Sequence, residues 1–300
     1  MRVFVTGATG FVGSAIVREL IGAGHTVLGL ARSDAAAASV ASAGAEVHRG
    51  SLEDLESLRS GAAAADGVIH TAFIRDFTQF ETNVKIDLGA IETMGAALEG
   101  SGKPFVVTSG TGALKIAPGR LGTEDDAGDP NHAAAARMPA EDTTVAMASR
   151  GVRAMVVRLS PSVHGEGDHG FVPRIITAAR ETGVSAYVGD GLNRWPAVHR
   201  LDAGRLYRLA LEKGSAGARY HAVADEGVPI REIAAVIGRR LNVPVVSKSR
   251  EEVARQLGFI GYFLGVDCPA SSAQTQQRLG WRYTQPGLLA DLDAPLYFES

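Results

Sequence analysis

The sequence predicts an α/β protein built on a doubly wound parallel sheet, and three observations support this prediction. Short runs of apolar and β-branched residues alternate along the chain with alanine-rich stretches that are compatible with helices. The runs are continuously apolar, as expected of strands covered by helices on both faces. The first run leads directly into a glycine-rich turn and a helix. Alternating strand and helix units of this kind form parallel sheets with helices on both sides.

The elements can be predicted in order along the chain. Strands are predicted at residues 3–6, 26–30, 46–48, 67–70, 105–108 and 153–159, and helices at 13–21, 52–65, 86–98, 133–148 and 203–211. Val12, Ile16 and Leu20 recur at intervals of four, which places them on one helical face against the sheet. Residues 116–132 are rich in Gly, Pro and Asp and predict a long surface loop, which usually borders a site.

After residue 159 the alternation becomes less regular, which indicates a second, smaller unit. We expect a dinucleotide-binding domain over residues 1–160, with 199–224 returning to it. A smaller C-terminal substrate-binding subdomain is expected over 161–198 and 225–300.

Composition argues against several classes of function. The 300 residues include 30 basic and 33 acidic side chains, for a formal net charge of -3, so no global charge pattern indicates nucleic acid or an anionic membrane. No apolar stretch approaches the ~20 residues of a membrane span. The single cysteine, Cys268, excludes an internal disulfide framework and a multi-cysteine zinc site. We expect a cytoplasmic protein with a small-molecule partner and no metal.

The stretch TGATGFVG at residues 6–13 predicts a site for the pyrophosphate of a dinucleotide. Gly7 permits a tight turn, Gly10 a close approach of the ligand, and Gly13 the packing of helix on strand. The helix that follows presents unpaired N–H groups and the positive end of its dipole to the phosphates. The candidate cofactor-binding residues of this turn are Gly7, Thr9, Gly10, Phe11, Val12 and Gly13.

The end of the second predicted strand favours NADP over NAD. A site that prefers NAD generally offers a carboxylate to the ribose hydroxyls, whereas this chain reads LARS at residues 30–33. Arg32 can hold a 2′-phosphate through forked, charge-assisted hydrogen bonds, with the Ser33 hydroxyl beside it. The alternative is that Arg32 is a solvated surface charge and that Asp34 caps the next helix. We expect NADP as cofactor, with NADPH preferred over NADH.

Seven stretches spread over nearly the whole chain carry a family resemblance. They are TGATGFVG at 6–13, GSLEDLESL at 50–58, IHTAF at 69–73, VVTSGTGAL at 106–114, VVRLSPSVHGEG at 156–167, AVHRLDAGRLYRLAL at 197–211 and QRLGWRYTQPGLLADL at 277–292. In their order and spacing the sequence resembles the extended branch of the short-chain dehydrogenase/reductase superfamily, which contains nucleotide-sugar epimerases and dehydratases. The resemblance implies the Rossmann form of the doubly wound sheet.

The resemblance also implies site residues. Ser51 and Leu52 would lie against the adenine, and His70, Thr71 and Ala72 would line the ribose and pyrophosphate of the cofactor. The residues that would bound the substrate cavity are His164, Asp168, His169, Phe171 and Trp195. Simpler structural roles remain open: Ser51 could cap a helix, His70 could be bonded to backbone at the end of its strand, and Trp195 could be a packing anchor.

The tyrosine and lysine that such enzymes carry four residues apart on one helix are missing here. Family members place a glutamate four residues after the lysine, and Glu141 matches that glutamate. Counting back places Arg137 at the lysine position and Ala133 at the tyrosine position. No tyrosine precedes Tyr187, so a shifted alignment cannot supply one. The chain therefore resembles an atypical member that keeps the cofactor site without the usual proton donor.

Other side chains could replace the missing acid. Ser109 and Thr111 flank the position where the resemblance places a hydroxyl, and either could donate a hydrogen bond to a carbonyl oxygen. His132 lies beside the vacated position and could act as an acid, since histidine titrates near neutrality. Arg137 can hold the nicotinamide ribose but cannot relay a proton.

Residues of the HGEGDHG stretch at 164–170 offer two further possibilities. His164 or His169 could be the acid. Alternatively, a protonated imine already carries its proton, so a C=N reductase would need an apolar pocket and a carboxylate such as Asp168 or Glu166.

We therefore expect an NADP-dependent oxidoreductase that reduces a C=O or C=N group of a small, fairly apolar molecule by hydride transfer. The main alternative is a non-catalytic NADP(H)-binding sensor that controls association with a partner protein. Nucleotide-sugar epimerase or dehydratase activity is less favoured, because that reaction needs the tyrosine to move a proton in both directions. Alanine-rich faces at 86–98 and 133–148 are compatible with a homodimer.

Overall fold

The computed structural model describes residues 1–74 and 76–298, and it contains twelve strands within these ranges. The strands are β1 (Arg2–Thr6), β2 (Thr26–Ala31), β3 (Glu46–Arg49), β4 (Gly67–His70), β5 (Pro104–Gly110), β6 (Arg153–Leu159), β7 (Ser162–His164), β8 (Ser185–Val188), β9 (Arg194–His199), β10 (Arg219–Ala222), β11 (Asp225–Pro229) and β12 (Val245–Lys248). Seven of them form one parallel sheet in the order β10-β6-β5-β4-β1-β2-β3. The predicted doubly wound α/β fold is therefore confirmed.

Twelve α-helices connect and cover the strands within the described ranges. They are α1 (Phe11–Gly22), α2 (Asp34–Ser42), α3 (Leu55–Ala63), α4 (Phe80–Ala97), α5 (Met138–Ala146), α6 (Phe171–Thr182), α7 (Arg200–Lys213), α8 (Ile230–Leu241), α9 (Arg250–Leu257), α10 (Phe259–Leu264), α11 (Ala273–Leu279) and α12 (Leu288–Leu292). In the part of the chain that the structure describes, no helix has both the length and the apolar character needed to cross a bilayer.

Both faces of the large sheet are buried, which explains the continuously apolar strands. Helices α1, α2 and α7 pack on one face, where Ile16, Val40 and Leu206 join a single apolar core. Helices α3, α4 and α5 pack on the other face, around Leu58 and Ile91. Alternate residues of one strand therefore enter two different cores, so both sets are mostly apolar.

The second half of the chain builds a smaller apolar core. Strands β7, β9 and β11 form a three-stranded sheet, and β8 pairs with β12. Trp195, Ile233 and Phe263 belong to the core beside these strands. In contrast, β10 is a strand of the large sheet and α7 packs on one face of that sheet, although β7, β8 and β9 precede both in the chain.

The start of one helix differs from the sequence-based prediction. Helix α5 begins at Met138, five residues after the predicted start, because Pro139 suits only the first turn of a helix; residues 135–137 form a 3-10 turn instead.

Residues 116–132 contain no helix or strand, as predicted. This long loop is joined to the rest of the molecule by isolated bridges, one of which pairs Gly122 with Ala270.

Candidate active site

A cavity of about 830 Å³ runs along the carboxyl ends of the parallel strands. Its wall includes the residues that directly follow β1, β2, β3, β4 and β6, together with Ser109 and Gly110 at the end of β5. In open α/β sheets, ligands bind outside these strand ends, where the order of the strands reverses. The cavity therefore occupies the position expected of a dinucleotide site.

The glycine-rich turn has the geometry that a pyrophosphate requires. Gly7 adopts φ of 70° and accepts a hydrogen bond from Gly10 N at 2.8 Å. A Cβ atom at Gly13 would overlap the carbonyl oxygen of Gly7, so the helix can approach the strand only through glycine. No side chain caps the first turn of α1. Its N–H groups are therefore available to phosphate oxygens.

The part of the cavity beside β2 and β3 contains three of the four residues that were predicted to bind the adenosine of the cofactor. Arg32, Ser51 and Leu52 line it. Ser33 does not line it, because its hydroxyl accepts a hydrogen bond from Ala36 N at 3.2 Å and caps α2. Asp34 is the first residue of α2 and pairs with Arg49 on the surface. The wall thus presents an arginine, and no carboxylate, directly after β2.

His70, Thr71 and Ala72 also line the cavity, and His70 is part of a buried chain of polar groups. Its Nδ1 lies 2.7 Å from the Thr6 hydroxyl, and its Nε2 lies 3.0 Å from Oδ1 of Asp87. The other Asp87 oxygen lies 3.6 Å from Nη2 of Arg137. This chain connects the end of β1 to the guanidinium of Arg137.

Arg137 lines the cavity and has contacts on several sides. Its Nη2 donates to the Thr108 carbonyl oxygen at 3.4 Å, and its guanidinium carbon lies 4.3 Å from the centre of the Phe73 ring.

Asp87, the partner of Arg137, was not predicted as a site residue. The available signal is its position on α4, where Val84, Ala90 and Ile91 surround it at helical spacing and are all buried.

Ser109 and Glu141 both line the cavity, and their side chains are hydrogen-bonded to each other. Arg158 donates from Nε to the Glu141 carboxylate at 3.1 and 3.2 Å, and Arg219 donates to it at 2.6 Å. Burial alone would raise the pKa of Glu141, but hydrogen bonds and charge from Arg158, together with Arg219 and Ser109, lower it. Glu141 is therefore an anion that accepts hydrogen bonds.

Thr111 and His132, predicted as catalytic, are not among the described residues that line the cavity. Thr111 is fully buried, and its hydroxyl donates to the Leu159 carbonyl oxygen at 3.4 Å. The His132 ring packs against Tyr262 and Phe263, and burial lowers its pKa. Ser109 and Arg137 remain the candidates that the cavity wall contains.

Of the five residues that were predicted to bind substrate, some line the cavity and others do not. Asp168, His169 and Phe171 line the cavity, whereas His164 and Trp195 do not belong to the described part of its wall. His164 is buried and pairs with Asp291 at 2.8 Å. Trp195 is buried behind Phe171, at a ring distance of 5.7 Å, as the packing alternative predicted.

No tyrosine belongs to the described part of the cavity wall. Tyr207 is buried on α7, and its hydroxyl lies 2.7 Å from the Thr108 hydroxyl. Burial raises the pKa of Tyr207. The described residues also contain no cluster of His, Cys, Asp or Glu that could hold a metal ion.

The fold and the cavity define an α/β protein with a nicotinamide-dinucleotide site. The sequence model of the NAD dependent epimerase/dehydratase family matches residues 3–224 of the chain. The chain belongs to this family, the extended branch of the short-chain dehydrogenases/reductases. Family members and structural neighbours bind a nicotinamide cofactor.

Individual relatives match between 83% and 100% of the chain. Uncharacterized protein C2A9.02 of Schizosaccharomyces pombe is 52% identical over 99% of this chain and 100% of its own length. A 2-alkyl-3-oxoalkanoate reductase of Stenotrophomonas maltophilia is 27% identical over 83% of this chain and 78% of its own. The solved structure of DesIV, a dTDP-glucose 4,6-dehydratase from Streptomyces venezuelae with NAD and TYD bound, superposes with a TM-score of 0.79 at 22% identity, covering 100% of this chain and 97% of that chain. At 22% identity, the similarity to the DesIV structure shows a shared fold and nothing more.

Proposed function

We propose that the chain is an NADPH-dependent reductase of a C=O or C=N group in a small, fairly apolar molecule. The main supporting observation is that one continuous cavity joins the glycine-rich turn to an apolar region. Phe73, Met138, Phe171 and Phe263 contribute to that region. A cavity that extends beyond the glycine-rich turn and combines apolar walls with oriented polar groups is typical of a substrate site.

The residues of the wall fit an NADP cofactor. The turn after β1 would hold the pyrophosphate, Ser51 and Leu52 the adenine, and Arg32 the 2′-phosphate. When bound, the reduced nicotinamide supplies a hydride to the acceptor carbon. Arg137 would orient the nicotinamide ribose from its position between Asp87 and the Thr108 carbonyl group.

Ser109 and Arg137 would stabilise the charge that develops on the acceptor oxygen or nitrogen. A hydroxyl and a guanidinium both donate hydrogen bonds, and donors that are already oriented lower the barrier most effectively. The related 2-alkyl-3-oxoalkanoate reductase supports a carbonyl acceptor.

The test follows NADPH absorbance with purified protein against a panel of ketones, aldehydes and cyclic imines. We expect at least one acceptor to be reduced, with a higher kcat/KM for NADPH than for NADH. Tight NADPH binding without reduction of any acceptor would favour the sensor alternative. Turnover of a nucleotide sugar without net consumption of NADPH would favour an epimerase or dehydratase.

A further inference from the structure

The loop between β7 and α6 brings a carboxyl group into the cavity wall. Asp168 lines the cavity, as do its neighbours His169 and Gly170. Its Oδ1 accepts a hydrogen bond from Gly170 N at 2.7 Å, and its Oδ2 accepts one from the Tyr297 hydroxyl at 3.3 Å. No ion pair to Asp168 is found within residues 1–74 and 76–298. The carboxyl group is thus held by neutral donors, on a residue that lines the cavity.

The outer side of this loop is covered by the C-terminal segment. The Tyr297 hydroxyl accepts a hydrogen bond from Gly165 N at 3.0 Å and lies 3.5 Å from Oδ2 of Asp291. Asp291 in turn pairs with the buried His164. Residues 288–298 therefore separate Asp168 from solvent on the side that faces away from the cavity.

The inner side of the loop rests on the glycine-rich turn. The His169 ring lies 5.6 Å from the Phe11 ring, measured between centroids. Arg200 donates to the Glu166 carbonyl oxygen at 2.7 Å and to the Ser14 hydroxyl at 2.6 Å. These contacts fix the loop, and with it Asp168, against the start of α1.

The electrostatic environment keeps this carboxyl group protonated to a higher pH than usual. Burial raises the pKa of Asp168 to about 6, whereas hydrogen bonds from Gly170 and Tyr297 and the nearby His164 and His169 lower it to a smaller extent. Other charged or titratable groups that contact the loop or stand beside it in the cavity wall include Glu166 on the loop itself, Arg174 on α6, Asp291 on α12, Arg200 on α7, and His199, whose ring packs on His164.

We propose that Asp168 is the proton donor of the reduction, in place of the absent tyrosine; this rests on the proposed function. The acceptor carbon gains a hydride, with its two electrons, from NADPH. The π electron pair of the C=O or unprotonated C=N bond moves onto the heteroatom, which takes the proton from the Asp168 carboxyl group. Asp168 is left as a carboxylate and regains a proton from water before the next turnover.

The first test is the Asp168→Asn variant. Asparagine retains an oxygen that can accept the Gly170 hydrogen bond, but it removes the acidic proton. We expect kcat to fall by ~10²- to 10⁴-fold, the usual contribution of a general acid, while the Kd for NADPH measured by fluorescence titration changes less than about threefold. The matched control is Asp190→Asn. The Asp190 carboxylate also accepts a hydrogen bond from a backbone N–H two residues later, Leu192 N at 3.0 Å, but it does so in an exposed turn. This control should retain the wild-type kcat.

The second test measures protonation without cofactor or turnover. In protein labelled with carbon-13 at the aspartate carboxyls, the NMR signal that is missing from Asp168→Asn should titrate near pH 6. Tyr297→Phe removes a hydrogen bond that favours the carboxylate, so we expect this titration to shift to higher pH. In Tyr297→Phe, the pH above which kcat declines should also be higher than in the wild type.

Several outcomes distinguish this inference from the proposed function. If the wild-type protein binds NADPH but reduces no acceptor, the proposed function fails, and this inference fails with it. If the wild-type protein is active and Asp168→Asn keeps kcat within threefold, only the assignment of the proton donor is wrong. A carboxyl signal that titrates near pH 4 would also overturn the assignment.

Discussion

Under the proposed function, Arg32 is the residue on which the choice between the two nicotinamide cofactors would depend most. It lines the cavity directly after β2, where an NAD-specific site would offer a carboxylate. Ser33, predicted as its partner, caps α2 instead. The preference for NADPH would therefore rest on one guanidinium.

Arg32→Ala should lower kcat/KM for NADPH by about 10- to 100-fold, because a hydrogen bond to a charged group contributes about 1.5–3 kcal/mol. The value for NADH should change little. Steady-state kinetics with both cofactors measure this difference, with Arg59→Ala as a control, since Arg59 pairs with Glu56 on an exposed helix surface. An equal decrease with both cofactors would contradict a 2′-phosphate role.

The sequence predicted some residues of the cavity wall better than others, for physical reasons. The cofactor turn follows one continuous motif, so its residues could be predicted together. Thr111 could not be placed, because β5 ends at Gly110 and a 3-10 turn begins at Thr111, where alternation of side chains no longer applies. His132 lies in a loop without periodicity. Asp87 comes from a helix distant in sequence, and only the structure brings it to Arg137.

At the scale of elements, α5 connects the site to the edge of the sheet. The delayed start of the helix leaves Ala133 before its first turn, while Arg137 and Glu141 lie at its beginning. Glu141 binds Arg158 of β6 and Arg219 of β10, and Arg158 is 1% exposed. The position of α5 over these two strands therefore depends on a largely buried carboxylate, whose side chain is 12% exposed.

Glu141→Gln should reduce the free energy of unfolding at pH 7 by about 3–5 kcal/mol, because it leaves Arg158 buried without its counter-ion. The folded-state pKa of Glu141 is lowered. Its contribution is therefore present above the ordinary pKa of glutamate and is lost as the pH falls through the folded value. The difference between variant and wild type in urea unfolding should shrink on acidification.

The matched control for this variant is Glu99→Gln, which removes an exposed pair with Arg150 and should change stability little. A difference between Glu141→Gln and the wild type that is the same at neutral and acidic pH would contradict the ionic explanation.

Helix α1 depends on glycine where it meets β1. Gly13→Ala should push α1 away from the turn and weaken NADPH binding by at least tenfold, because the added Cβ overlaps the Gly7 carbonyl oxygen. Gly89→Ala in α4 is the comparison, since a Cβ there meets no atom within 4 Å. It should stabilise the protein by about 0.4–1 kcal/mol. Fluorescence titration and urea unfolding would measure the two effects, and unchanged NADPH affinity in Gly13→Ala would refute the first.

At the scale of the whole molecule, the C-terminal segment is anchored to the large sheet through α7. Trp281 is fully buried, and its Nε1 donates to the Asp202 carbonyl oxygen at 3.0 Å. The Asp202 carboxylate accepts hydrogen bonds from Thr284 N and Gln285 N. The segment that reaches Tyr297 is thus attached to the same helix that packs against α1.

Trp281→Ala should lower the free energy of unfolding by about 3–5 kcal/mol, the usual result of removing a buried aromatic ring. Urea unfolding monitored by circular dichroism would measure it. Leu192→Ala, at a position that is 49% exposed, should have little effect. Equal stability of the two variants would show that the Trp281 contacts contribute nothing to the fold.

The path of the chain through the large sheet limits how new substrate specificities can arise. Strand β10 completes one edge and α7 covers one face, yet both follow β7, β8 and β9 in sequence. A recombination crossover near residue 160 would exchange that edge strand and that covering helix together with the loops that we propose bind the acceptor. Laboratory diversification of this scaffold should therefore rely on point substitutions or on grafts with two junctions, since a single-junction chimera would inherit a mismatched sheet.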